Sequence, residues 1–491
     1  MTESEFLALA RASYNRIPLH LETLADLDTP LSIYLKLANR PGSYLLESVI
    51  GGERFGRYSI VGLPAREKLE VSGKRVSLTR DDKPHDEVDA ADPLAYIDEY
   101  LASFRTAPIA PALRFAGGLA GYFGYETVRY IERRLQGRTK PDPLGLPEIR
   151  LLLSDELAVV DNLSGKLHLI VYADPSRPDA YKHAAARLHE LRARLRDKVE
   201  LPAHPAQPEW EAPHSNIGQP AFFDAVARCK RYITEGDIMQ VQVSQRLAQP
   251  YAASPINLYR ALRSINPSPY MFYFNFGDCQ LVGASPEILV RREGEKVTLR
   301  PIAGTRKRGS TPEKDAEMER ELVSDPKERA EHVMLIDLGR NDVGRIAKTG
   351  TVKVTETMVV ERYSHVMHMV SNVEGTVEAD LTAMELLRAT FPAGTVTGTP
   401  KVRAMEIIDE LEPERRSVYA GAVGYLGFHG NVDLAIAIRT GVVKDGTLYV
   451  QAAAGIVADS IDDNEWRETQ NKARAILAAA EQVHAGLDAP L

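Results

Sequence analysis

An α+β fold, with antiparallel sheets packed against helices on the outside, follows from three features of the 491-residue sequence. Short apolar runs succeed one another across tight polar turns such as His429-Gly430-Asn431 and Lys444-Asp445-Gly446, which join antiparallel neighbours. Helical patterns fall between groups of strands without regular alternation, so helices cover antiparallel sheets rather than linking parallel strands. A stretch at 201–220 that is poor in aliphatics and carries Pro202, Pro205, Pro208, Pro213 and Pro220 reads as a linker between two halves.

In the first half, alternating runs at 68–78 and 166–172 predict strands. The run Ala116-Gly117-Gly118-Leu119-Ala120-Gly121-Tyr122 predicts a strand whose backbone is closely approached. Leu188, Leu191 and Leu195 on one stripe predict a helix over 181–200. Beyond the linker, strands are expected at 270–276, 359–373, 421–428, 434–443 and 448–457, and helices at 222–235, 326–338, 401–411 and 465–482. The chain thus divides into residues 1–200, a linker at 201–220 and residues 221–491, without an internal repeat or a low-complexity tract.

A net charge of -8 and the lack of a long Lys/Arg block argue against a nucleic-acid partner. The start, Met1-Thr2-Glu3-Ser4-Glu5-Phe6, does not pair a basic region with an apolar run. No stretch approaches the ~18 uninterrupted apolar residues of a membrane span. A cytoplasmic protein without a membrane partner is expected. Cys229 and Cys279 are the only cysteines, too few for a disulfide framework or a thiolate zinc site.

Two acidic helix starts lie far apart, Asp325-Pro326-Lys327-Glu328-Arg329-Ala330-Glu331-His332 and Asp462-Asp463-Asn464-Glu465-Trp466-Arg467-Glu468. Residues three apart share a helix face, so Glu328 with Glu331, and Glu465 with Glu468, each aim two carboxylates one way. If the faces meet, each like-charge pair at about 5 Å and an effective dielectric of about 20 costs about 3 kcal/mol, which a cation or protonation offsets. Oxygen-only ligands favour Mg²⁺ or Mn²⁺ over zinc. A second reading stays open: both starts fit a capping box, with Pro326 at the first helical position and Glu331 and Glu468 as solvated surface groups. Lys472, four residues after Glu468, fits an ordinary helix ion pair.

Arg439 closes the run Asp433-Leu434-Ala435-Ile436-Ala437-Ile438-Arg439, where Ala435 and Ala437 leave room for a guanidinium to grip a carboxylate; a solvated strand-end arginine is the other reading. His368 alternates with Val366 and Val370 and is expected to point into an apolar interior, as a hydrogen-bonded core residue or as a catalytic group. Glu287 follows Gly283-Ala284-Ser285-Pro286 at a strand end and is either a buried acid aimed into a cleft or an exposed turn residue. Gly394-Thr395-Val396-Thr397-Gly398-Thr399-Pro400-Lys401 lacks Walker A spacing, and Thr399 as N-cap with Pro400 at the first helical position accounts for much of it.

Taken together, Pro301-Ile302-Ala303-Gly304-Thr305, the run from Lys327 to His332 with Asp337-Leu338-Gly339-Arg340-Asn341-Asp342, the Gly394 to Lys401 loop, and Ala454-Gly455-Ile456-Val457-Ala458-Asp459-Ser460 followed by Glu465, Glu468 and Lys472 resemble the chorismate-utilising enzymes. Among these, the large components of anthranilate synthases are the most similar. The resemblance spans the second half in order and extends to Leu45-Leu46-Glu47-Ser48 in the first. It implies a pair of antiparallel sheets flanked by helices, with the first half contributing a tryptophan-sensing subdomain. It further implies that Glu328, Glu331, Glu465 and Glu468 hold Mg²⁺ against the ring carboxylate of chorismate. Gly304, Gln240, Tyr419, Arg439, Gly455 and Lys472 would bind substrate, Glu287 would help the C4 hydroxyl leave, His368 would assist pyruvate elimination, and Thr305 would stand beside them.

Two positions discriminate within the family. Sisters that form 4-amino-4-deoxychorismate carry a lysine nucleophile in the slot of Ala303, and sisters that add water carry a lysine base in the slot of Gln240. Neither is present, so the resemblance implies ammonia attack at C2, loss of the C4 hydroxyl and release of pyruvate to leave anthranilate, the first committed step of tryptophan biosynthesis. Neither cysteine sits on a G-x-C-x-G elbow, so a separate glutamine amidotransferase subunit is expected, in a heterotetramer. Glu47, Ser48, Pro269, Tyr270, Met271, Val423 and Tyr425 resemble a tryptophan feedback site; a turn plus a buried strand is the plainer account. Ala453 stands where the family commonly has glycine, an added Cβ near substrate backbone contacts. Competing functions are an isochorismate, salicylate or aminodeoxychorismate synthase, a non-catalytic tryptophan-sensing protein, and a nucleotide binder built on the Gly394 loop.

Overall fold

The computed structural model describes residues 1–49, 56–109, 113–202, 210–362 and 366–487. Among them, two sheets of twelve strands each form, and their strand pairs are antiparallel. The first sheet runs from the edge strand Ile17–Leu24 through Lys166–Ala173, Glu156–Asp161, Tyr58–Gly62 and Ser43–Glu47, then on into Tyr270–Asn275, Cys279–Ser285, Thr440–Lys444, Thr447–Ile456 and Gln240–Pro250. The second runs from Ile302–Lys307 through Val366–Thr376, Lys296–Leu299, Ile288–Glu293, Val432–Ile436 and Ala422–Gly427 into Gly118–Phe123, Ile149–Ser154 and Glu67–Ser72. Strands from both sides of the Pro-rich stretch therefore sit in each sheet, joined at Ser43–Glu47 with Tyr270–Asn275 and at Gly118–Phe123 with Ala422–Gly427.

The core is layered around these sheets. Phe272 and Phe274 on one strand face join Tyr44, Leu281, Tyr122, Leu152, Val423 and Tyr425 in an apolar cluster between the sheets. Met271 and Tyr273 on the other face pack outward with residues of the helices Pro30–Leu37, Ala180–Arg194, Pro255–Ile265 and Asp462–Ala485. With both faces covered, these strands read as unbroken apolar runs, although their side chains still alternate.

Local departures from the sequence-based expectations have physical reasons. The run 68–78 is a hairpin, Glu67–Ser72 with Arg75–Arg80, because Gly73 takes a left-handed turn conformation with φ +61°. The run 359–373 is divided between Lys353–Arg362 and Val366–Thr376, with residues 363–365 outside the described residues. Within 201–220, His214–Ser215 pairs with 247–248 and a helix begins at Gln219; Pro205 and Pro208 lie outside the described residues. The Gly-rich strand behaves as read: a Cβ on Gly121 would lie 2.0 Å from the carbonyl oxygen of Arg150, and one on Gly118 as close to that of Leu426.

The run 434–443 is likewise two strands, and they belong to different sheets. The chain leaves Val432–Ile436 of the second sheet and enters Thr440–Lys444 of the first, turning at Arg439 with φ +51°. Arg439 thus does not end a strand alongside Ala435 and Ala437; it sits in the passage between sheets. A second passage lies beside it, from Cys279–Ser285 to Ile288–Glu293 through Pro286 and Glu287. Proline offers no N–H, so the ladder stops there. The two passages are stitched together: Ile436 N–H donates to the Glu287 carbonyl at 3.0 Å, and Ala284 N–H to the Arg439 carbonyl at 3.0 Å.

Candidate active site

A cavity opens where the sheets exchange strands, with Glu287 and Arg439 in its wall. Of the residues singled out in the sequence, Gln240, Glu287, Gly304, Thr305, Glu331, His368, Tyr419, Arg439 and Lys472 line this one space, as does Ala303. Gly455 stands just behind: a Cβ there would lie 2.7 Å from the Gln240 amide nitrogen and 2.9 Å from that of Gln242. Gln242, Pro286, Ile302, Leu335, Thr395, Val396, Ile438, Gln451 and Ala452 also line it and were not singled out as site residues, and Ala453, noted in the sequence as standing in a glycine's place, completes the lining. Thr395 and Val396 belonged to a loop read mainly as a helix start, and Gln242 follows Gln240 by two, which puts it on the same strand face.

Glu287 is 7% exposed, and burial pushes its carboxyl up to about 8, with the Thr395 hydroxyl and the Lys472 charge pulling less strongly downward. It is a carboxylic acid that keeps its proton near neutrality. His368 does not enter an apolar interior; its strand turns Met367 and Met369 into a small core with Leu322, and the imidazole faces the cavity. Its Nδ1 lies 3.0 Å from the Gly304 carbonyl and 3.1 Å from the Thr305 hydroxyl. A carbonyl only accepts, so we assign the proton to Nδ1, which leaves Nε2 with its lone pair. Burial lowers the histidine's pKa and keeps it neutral.

Gly304 makes this geometry possible. The ladder between Ile302–Lys307 and Val366–Thr376 slips between Ala303 and Thr305, and Gly304 has φ +69°. A Cβ at 304 would sit 2.8 Å from Leu322 Cδ1 and 3.0 Å from a Glu328 carboxylate oxygen.

The two acidic helices flank the same region. Asp325 caps Pro326–Gly344, accepting from Lys327 N at 2.9 Å and Glu328 N at 3.2 Å. The second helix has no such cap: it begins at Asp462 itself, after Ile461, and Glu465 lies a position further in than a capping box requires. Glu328 pairs with Arg306 at 2.9 Å and Glu468 with Lys472 at 2.6 Å. The carboxyls of Glu331 and Glu465 are raised, first by burial and then by neighbouring carboxylates, Glu328 and Glu468 acting on Glu331 and Glu468 on Glu465. Their charges therefore act on one another across the two helices. Among the described residues no group of three or more His, Cys, Asp or Glu side chains is arranged to hold a metal ion; in this arrangement Arg306 and Lys472 neutralise two of the four glutamates.

The Gly394 loop ends differently from expectation. The helix Lys401–Leu411 starts one residue late, with Pro400 rather than Thr399 at the cap position and no side-chain cap, because the Gly398–Thr399 backbone pairs with Gln240 and Val241.

A second cavity is lined by Glu47, Ser48, Pro269, Tyr270, Met271, Val423 and Tyr425, all seven of the residues read as a feedback site, together with Arg291 and Asp433. The buried Glu47 carboxylate takes the Tyr259 hydroxyl at 2.5 Å and Arg263 at 3.0 Å. Asp433 takes the Tyr270 hydroxyl at 3.0 Å and Arg291 at 2.7 Å.

Residues 53–478 match the model of a family described as chorismate binding enzyme. The chain is 58% identical to an anthranilate synthase component 1 of Neisseria meningitidis over 99% of its own length and 100% of that protein. It is 56% identical to one of Pseudomonas aeruginosa over 98% of each chain. Among solved structures, anthranilate synthase component I from Streptococcus pneumoniae superposes with a TM-score of 0.77 at 36% identity, covering 92% of this chain and 98% of that one. A menaquinone-specific isochorismate synthase from Escherichia coli shares the fold at 18% identity, with a TM-score of 0.72 over 97% of this chain and 98% of that one. With its two interleaved antiparallel sheets, its cavity at their junction and a family match that runs through both halves, the chain belongs to the chorismate binding enzymes.

Proposed function

We propose that the chain is the ammonia-using large component of an anthranilate synthase, converting chorismate and ammonia to anthranilate and pyruvate. The observation that carries this within the family is the pairing of Gln240 and Ala303 on the cavity wall. A glutamine amide cannot take a proton from water, and an alanine offers no amine, whereas ammonia brings its own lone pair.

The residues divide the work by their chemistry. Arg439 and Lys472 supply positive charge for a carboxylate, and Tyr419 a phenol whose pKa burial pushes up to about 12, so that it stays a neutral donor. Glu287, protonated near neutrality, delivers a proton to the C4 hydroxyl as ammonia attacks C2, and water leaves. His368 Nε2 accepts a proton as the enolpyruvyl group departs and the ring becomes aromatic, held in that tautomer by the Gly304 carbonyl. Glu328, Glu331, Glu465 and Glu468 are all-oxygen donors of the kind that would hold Mg²⁺ once Arg306 and Lys472 release the two they pair with. An ion held there would supply positive charge opposite the substrate's ring carboxylate.

Ammonia supply falls to another chain. Cys229 and Cys279 are both buried, and burial pushes each thiol up to about 12, so neither provides a thiolate for glutamine hydrolysis near neutrality. A glutamine amidotransferase partner, in a heterotetramer, completes the reading. The cavity of Glu47, Ser48 and Tyr425 is assigned to tryptophan as feedback inhibitor.

The test is direct: the purified chain with chorismate, ammonium and Mg²⁺ at mildly alkaline pH should develop anthranilate fluorescence, and with glutamine in place of ammonium it should not. Isochorismate, salicylate or aminodeoxychorismate as product would select a sister reaction instead.

A further inference from the structure

Behind the wall of the active-site cavity, Arg416 and Glu412 form an ion pair with side chains only 1% and 3% exposed. The pairing is bidentate: Arg416 Nε donates to one carboxylate oxygen at 2.8 Å and Nη2 to the other at 2.6 Å. The remaining bonds go elsewhere. Nη1 donates to the backbone carbonyl of Val396 at 2.7 Å, and Nη2 to that of Gln242 at 2.8 Å. The guanidinium carbon also stands 5.6 Å from the centre of the Tyr419 ring. On the far side, Glu412 accepts the Ser244 N–H at 2.8 Å and its hydroxyl at 2.7 Å, and that hydroxyl accepts the Gln451 amide at 2.8 Å.

Val396, Gln242, Tyr419 and Gln451 all line the cavity. They come from the turn Gly394–Val396, the strands Gln240–Pro250 and Thr447–Ile456, and the connection that carries Tyr419. A buried ion pair adds little net stability over well-packed apolar residues of the same volume, so stability alone does not account for it. A planar fork that reaches a carboxylate and two separate carbonyls at once is a geometry only arginine provides.

We propose that Arg416 is a positioning residue for catalysis: anchored by Glu412, its guanidinium fixes the distances between the turn that bears Thr395, the strand that bears Gln240 and Gln242, and the Tyr419 wall. This rests on the cavity being the chorismate site.

The test compares kcat and KM for chorismate, with ammonia as nitrogen donor, in Arg416→Lys and Arg150→Lys. The first keeps a charge opposite Glu412 but replaces the fork with a point donor. The second weakens the pairing of another buried arginine, Arg150, which meets the half-exposed Asp278 at 2.6 Å and does not line the cavity. At a temperature where circular dichroism shows both folded, Arg416→Lys should lose roughly tenfold to hundredfold in kcat/KM, with kcat lowered and KM raised, and Arg150→Lys should stay within about twofold. Unchanged constants in Arg416→Lys, or equal losses in both, overturn the proposal. If Arg416→Lys is insoluble, Glu412→Gln decides: about fivefold or more lost in kcat/KM supports the role, and unchanged constants overturn it. Should the unmodified protein make another product from chorismate, the functional reading falls while the same constants still test Arg416; no turnover at all overturns both.

Discussion

The guanidinium of Arg439 donates a hydrogen bond to the backbone carbonyl of Lys472, so the two cations facing the cavity are fixed to each other. A lysine at 439 would carry the charge without that second attachment or a planar fork for a carboxylate. Arg439→Lys should raise KM for chorismate by roughly tenfold to hundredfold and lower kcat less. Initial rates across a chorismate series check this, and an unchanged KM would remove Arg439 from carboxylate binding.

In the proposed reaction Glu287 acts in its protonated form, and burial raises its folded pKa to about 8. Activity should therefore fall as pH rises through about 8, provided free ammonia is held constant so that the opposing titration of ammonium does not mask the loss. Glu287→Gln should lower kcat by about 10²-fold or more and remove that alkaline limb. A variant that keeps the limb would assign it to another group.

The proposal gives His368 a different step. His368→Gln should leave ammonia addition running while slowing pyruvate release, so that an amino intermediate builds up before anthranilate appears. Quenched time courses separated by chromatography would show it, and anthranilate formed at the normal rate without an intermediate would reject the role.

The four glutamates give a metal prediction. A divalent ion must take Glu328 and Glu468 from Arg306 and Lys472, which hold them here. Chelation should abolish activity and added Mg²⁺ restore it, and Glu331→Gln or Glu468→Gln should raise half-saturating Mg²⁺ by about tenfold or more. Full activity in chelator would exclude the ion.

Ser48 faces the second cavity. Ser48→Phe fills that space with a ring and should raise the tryptophan concentration for half-inhibition by about tenfold or more, leaving kcat unaltered. Inhibition at the normal concentration would dissolve the pocket assignment.

What the sequence shows, and what it hides, follows from the range of each interaction. Asp325 and Pro326 mark their helix correctly because a cap is made within three residues. The passages at Glu287 and Arg439 are invisible, since the hydropathy of 434–443 is the same whether the strand stays in one sheet or crosses to the next. Alternation gives His368 its side of the strand but not what lies on that side. Glu412 and Arg416 have the spacing of an ordinary surface pair. Only the strands folded over them make the pair an interior one.

The interleaving of the sheets has a last consequence. Neither half can be shed without baring the paired edges of Tyr270–Asn275 or Ala422–Gly427, and naked strand edges recruit other chains. Cutting the chain at its proline-rich stretch should therefore yield two insoluble fragments rather than two working pieces, because each would carry an unpaired ladder into solution.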